Sequence, residues 1–130
     1  MRSRAGIVAA LALAGCAASA DRLARAEADE LAQTLAGRTA GAPVECVDIQ
    51  RSSGSFRSVG GAIIFSVGGR LYRSDPVDGC RFLRSDPVIV VDAYGSRVCR
   101  NDRFRTIDRG TSIPSAYCRF GAFAPYERSR

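Results

Sequence analysis

Ala62-Ile63-Ile64-Phe65-Ser66-Val67-Gly68-Gly69-Arg70-Leu71-Tyr72-Arg73-Ser74 decides the fold class. The first six residues are rich in β-branched and aromatic side chains, which pack well on a pleated surface and so read as a strand. Gly68-Gly69 offers the two positions of positive φ that a two-residue hairpin turn needs. Arg70–Ser74 is then the returning arm. The pattern repeats outward from this hairpin. Val44–Gln50 reads as a strand, Arg51–Ser58 as a polar turn, Arg81–Leu83 as a short strand and Val88–Tyr94 as a strong one. Gly95-Ser96 suits a second tight turn, and Arg97–Arg100, Phe104–Asp108 and Ala116–Phe120 follow as short strands. Turn signals at roughly ten-residue spacing predict a mainly β chain, a small antiparallel sandwich or barrel of about six to eight short strands.

Before residue 44 the composition changes. Asp21 to Ala36 predicts one N-terminal helix, capped by Ser19 or Asp21 and ended by Gly37. Leu23, Leu31 and Leu35, with Ala24, Ala28 and Ala32, give it a broad but shallow apolar face. Such a face fits docking on the sheet somewhat better than a free spacer. Residues 37–43, rich in Gly, Ala and Pro, read as a linker.

The chain begins with Arg2 and Arg4, followed by ten apolar residues from Ala5 to Ala14. A basic start and a short apolar run are the layout of a secretory signal, and the run falls short of the ~20 residues that cross a bilayer. Leu13-Ala14-Gly15-Cys16 directly after it resembles the bacterial lipobox, whose cysteine thiol takes diacylglycerol before cleavage. The expected organisation is a cleaved lipoprotein signal over 1–15, a lipid-anchored helix and linker over 16–43, and a disulfide-stapled β domain over 44–130. The competing reading is an ordinary cleavage after Ala18-Ser19-Ala20. Both place the protein outside the cytoplasm, and the lipid-anchored reading places it in the bacterial cell envelope. Ala17 after the lipid-bearing Cys16 is similar to the pattern of lipoproteins passed to an outer membrane, facing the periplasm.

All 19 basic residues of the 130 are Arg, and there is no Lys, His or Trp. The 115 residues after Gly15, enough for one domain, keep every Arg but Arg2 and Arg4. That leaves 17 against 13 acidic residues, a formal charge of +4. This is a mild attraction to an acidic envelope protein or polymer. No aromatic-interleaved basic motif points to nucleic acid. Of five cysteines, Cys16 is taken by lipid, and Cys46, Cys80, Cys99 and Cys118 remain. An even number in a small exported domain reads as two disulfides. Three pairings are open. Shorter loops close more easily, which favours Cys46–Cys80 with Cys99–Cys118.

From Cys46 onward the layout resembles a bacterial family of short four-cysteine exported domains of unknown function. The residues that carry the resemblance are Cys46, Gly69-Arg70-Leu71-Tyr72, Gly79-Cys80, 95–102 and 118–125. It implies a compact β-rich domain in an envelope setting, and it brings no activity, ligand or site.

Catalysis lacks its usual parts. Without His there is no Ser-His or Cys-His pair, and without Lys no Schiff base. Asp92, Asp102 and Asp108 can still pair as acid and base, which leaves a carboxylate-dependent hydrolase as one alternative. An inhibitor of a hydrolase is another. Gly60-Gly61 and Gly68-Gly69 flank a strand rather than opening a helix, so they do not form a phosphate cradle. Asp75, Asp78 and Asp86 are the candidate calcium ligands, sparse and interrupted by Pro. The repeat 73–77 and 84–88, Arg-Ser-Asp-Pro-Val twice, reads as two turn starts. No cofactor or metal site is expected. The residues set apart for binding are Arg97, Arg100, Arg103, Arg105, Arg109 and Arg119, a basic concentration suited to an anionic partner. The expectation is a non-enzymatic envelope binding or assembly module, held to the membrane by its lipid.

Overall fold

A computed structural model describes residues 5–51, 55–84 and 86–130, with side chains from Gly15 onward. The basic start at Arg2 and Arg4 and Ser85 of the second repeat lie outside the described residues. Among these residues one helix, α1 (Ala5–Thr34), precedes ten strands. They are β1 (Arg38–Ala40), β2 (Cys46–Asp48), β3 (Arg57–Val59), β4 (Ala62–Val67), β5 (Arg70–Ser74), β6 (Val88–Val91), β7 (Arg97–Cys99), β8 (Arg103–Ile107), β9 (Cys118–Arg119) and β10 (Phe123–Arg128). All pairings are antiparallel and fall into three sheets: β1-β10-β5-β4-β3, β2-β7 and β6-β8-β9. The chain is mainly β, as expected. The sheets stay open, so the barrel alternative falls.

The β4–β5 hairpin forms as read, with Val67 opposite Arg70 and both Gly68 and Gly69 at positive φ. Gly60-Gly61 makes a second turn of the same kind, joining β3 to β4. Core-facing side chains of all three sheets meet in one cluster that includes Val47, Ile63, Phe65, Val98, Phe104, Phe120 and Phe123. Phe120 is its hub. Its ring lies 4.7 Å from Phe104, 5.6 Å from Phe123 and 5.6 Å from Phe56, centroid to centroid. The alternation Cys118, Phe120 inward and Arg119 outward is the two-residue period of a strand at work.

The helix docks on the five-stranded sheet by part of its length. Glu27, Leu31, Thr34 and Leu35 are half-buried at helical spacing, while the turns from Gly15 to Ala26 are exposed. The contact is tightest at Gly60, where a Cβ would stand 2.1 Å from the Glu27 carbonyl oxygen and 3.1 Å from Leu31 Cβ. Glu30 accepts a hydrogen bond from the Gly60 N–H at 3.3 Å, and Arg84 reaches Glu27 at 3.4 Å. The chain ends its helix at Thr34, turns through Gly37 at φ +67°, and enters β1 at the other edge of the same sheet.

Several expectations are corrected. The disulfides are Cys46–Cys99 and Cys80–Cys118, not Cys46–Cys80 and Cys99–Cys118. Strand pairing overrides loop length: Cys46 sits directly opposite Cys99 in the β2–β7 ribbon. Arg81–Leu83 is a turn of 3-10 helix that buries Leu83, rather than a strand. The stretch read as a linker supplies β1, and the polar turn supplies β3. The C-terminal strand β10, which the sequence reading did not anticipate, lies between β1 and β5.

Candidate functional site

The six arginines separate into groups. Arg100 pairs with Glu45 at 3.6 Å beside the β2–β7 ribbon, Arg109 pairs with Asp86 at 3.4 Å beyond the end of β8, and Arg97 stands on β7 opposite Asp48. Arg103, Arg105 and Arg119 come together. Arg103–Ile107 is extended, so Arg103 and Arg105 project from the same face of β8, and Arg119 lies opposite Arg103 in register. Ile89, Val91, Phe104 and Cys118 turn inward to the core. The outward set is therefore Val88, Val90, Arg103, Arg105, Ile107 and Arg119.

Tyr117 organises the basic half of this face. The guanidinium carbon of Arg103 lies 4.7 Å from its ring centroid and that of Arg105 5.4 Å away. A ring's negative face attracts a cation, so Tyr117 fixes both side chains at little electrostatic cost. Sequence spacing alone did not single out Tyr117, because residues 108–117 loop out before the chain returns to β8. Arg103 is 3.8 Å from Asp92 and Arg119 3.0 Å from Asp78, both at the rim. Among the described residues, Arg105 has no carboxylate partner. Val88 and Tyr117 are 45% and 47% exposed, far more than the residues behind them.

The candidate acid–base carboxylates are held in separate roles. Asp92 faces Arg103, Asp102 accepts a 2.7 Å hydrogen bond from the Cys99 N–H, and Asp108 accepts one of 2.8 Å from the Gly110 N–H. Asp102 and Asp108 flank β8 at opposite ends, roughly 20 Å apart along an extended chain. The structure does not bring them together. Each candidate calcium ligand already meets a guanidinium: Asp75 with Arg73, Asp78 with Arg119 and Asp86 with Arg109. No group of three or more metal-ligating side chains occurs among the described residues.

Two arginines on β5 have raised pKa values. For Arg70 the hydrogen bond to Tyr72 acts first and the charge of Glu127 second. Arg73 loses hydration by partial burial, which opposes its charge, but hydrogen bonding and attraction to Asp75 outweigh this. Both stay cationic, and both are satisfied within their own sheet. A groove of about 720 Å³ runs beside the contact of the helix with the β3–β4 turn, lined by Glu27, Glu30, Arg57, Arg84, Asp86 and Arg109. Its charges are largely matched internally, by Glu27 with Arg84 and Asp86 with Arg109.

Cys16 is exposed on the undocked part of α1 and has no disulfide partner. It precedes the first docked residue, Glu27, by eleven positions, about 16 Å of helix. Among the described residues, no helix is long and apolar enough to cross a membrane. No known protein family, no curated protein and no solved structure matches the chain.

Proposed function

We propose that this chain is an envelope lipoprotein, anchored through Cys16 and acting without catalysis as a binding or assembly module at the outer membrane, facing the periplasm. The observation that carries the reading is the open face of the β6-β8-β9 sheet, where Arg103, Arg105 and Arg119 stand beside Tyr117 and exposed Val88. A basic and partly apolar surface suits association with an acidic partner, because guanidinium groups hold carboxylates or phosphates through paired N–H donors. Two disulfides and an exposed cysteine following a short apolar run fit export and lipid attachment. The projecting turns 16–26 hold the domain off the bilayer and leave the face accessible.

Crosslinking of the tethered protein in its native envelope, with and without raised salt, tests this function. The expected result is a salt-sensitive adduct. Recovery of background alone, together with hydrolysis of a glycan or ester by the purified protein, would overturn the reading.

A further inference from the structure

We infer that the outer face of the β6-β8-β9 sheet docks an acidic protein surface, with Arg105 at the centre of the contact; this deepens the binding-module reading and rests on it. The register sets the layout of the face. Val88 opposes Ile107 at one end, Val90 opposes Arg105 in the middle, and Arg103 opposes Arg119 at the other end. An apolar half and a basic half therefore adjoin across one strand pair. The patch continues past both ends. Ile113, 77% exposed, precedes Pro114, which bridges to Ile107, and Tyr94, 83% exposed, follows Asp92 at the Arg103 end.

The chemistry of the two halves selects the partner. Guanidinium groups alone would suit a phosphorylated polymer or a lipid headgroup as well as a protein. Such a ligand would leave Val88, Val90 and Ile107 against water, whereas a protein surface can cover both halves at once. Arg and Tyr are the side chains enriched at the energetic centres of protein interfaces, and Tyr anchors contact area with little entropy to lose. Arg105 needs no existing ion pair broken when a carboxylate arrives, and Tyr117 already restrains it. Arg103 and Arg119 are themselves about half exposed and have partners at the rim, half-buried Asp92 and exposed Asp78, and the Arg119 pair is the readier to exchange with an incoming acidic surface. The partner has Asp or Glu beside aliphatic or aromatic side chains, in extent comparable to the ~800 Å² that each side of a stable interface buries.

A photo-crosslinking residue at Val90 in the full-length, membrane-tethered protein, with another at exposed Arg22 as control, tests the assignment. The expected result is a discrete protein adduct from position 90 that is absent from position 22. Arg105→Glu reduces its yield about tenfold or more, as loss of a close interfacial charge pair does. Reversing the facing acidic residue of the captured protein to Arg restores the yield in the Arg105→Glu background. Val88→Ser, at an exposed site where folding is little affected, lowers the yield several-fold if the apolar half is covered. A glycan or lipid adduct overturns the inference and leaves the binding module standing, as does a protein adduct indifferent to both substitutions. No adduct at any position on the domain overturns both.

Discussion

Gly60 and Gly61 form a matched pair for measuring how firmly the helix is seated. Both have positive φ, +53° and +78°, so replacing either with Ala incurs the left-handed penalty of about 1–2 kcal/mol. They differ in what the new methyl group meets. At Gly61 nothing lies within 4 Å, whereas at Gly60 the Cβ would stand 2.1 Å from the Glu27 carbonyl oxygen. A backbone atom in a helix cannot rotate away, so the helix must shift by about an ångström or leave. That shift also weakens the Leu31 contact and the Glu30 hydrogen bond to the Gly60 N–H. Overpacking of this kind adds about 1–3 kcal/mol. Gly61→Ala is therefore expected to cost about 1–2 kcal/mol and Gly60→Ala about 2–5 kcal/mol. With roughly 4–8 °C per kcal/mol for a small domain, thermal melting separates the two. Amide exchange should show the turns around residues 27–35 losing protection in Gly60→Ala alone. Equal melting temperatures and equal protection in the two variants would refute the docking geometry.

Peptide mapping without reduction should yield the linkages Cys46–Cys99 and Cys80–Cys118, and fragments joining Cys46 to Cys80 would contradict the fold. Replacing either pair by Ser is expected to lower stability by about 4 kcal/mol, since each bridge closes a loop of 53 or 38 residues; denaturant unfolding reads this. Phe120→Ala should cost about 3–5 kcal/mol and broaden the unfolding transition, because the ring is fully buried among three other aromatics. Gly121→Ala should cost about 1–3 kcal/mol despite its small size, since its Cβ would stand 2.0 Å from the Asp75 carbonyl oxygen; a melting point within two or three degrees of the parent, roughly half a kcal/mol, would contradict that close approach.

The β4–β5 hairpin was legible because its signals are local: an apolar run, two glycines and a returning arm. The end of α1 was legible in the same way from Gly37. β10 was not. It contains Pro125, which argues against a strand inside a sheet because it offers no N–H. Here Pro125 turns the missing donor toward the side where its carbonyl accepts from Gly41, at 2.8 Å, and where the chain is already leaving the ladder. β1 escaped notice for a related reason: residues 38–40 have little strand character of their own and pair only because β10 is beside them. The disulfide pairing followed long-range register, which loop-closure entropy does not contain. At the candidate site, the common face of Arg103 and Arg105 was legible from strand periodicity. The separation of Arg100 and Arg109 from it was not, nor was Tyr117, because both depend on how the loops around β8 return.

Anchoring in an oxidising envelope is the claim on which the binding reading depends, and the intact mass of the protein taken from its own membrane tests it most directly. The expected species is a chain beginning at Cys16, heavier by its acyl groups and lighter by four hydrogens for two disulfides. A chain beginning at Met1 with four free thiols among Cys46, Cys80, Cys99 and Cys118 would contradict it.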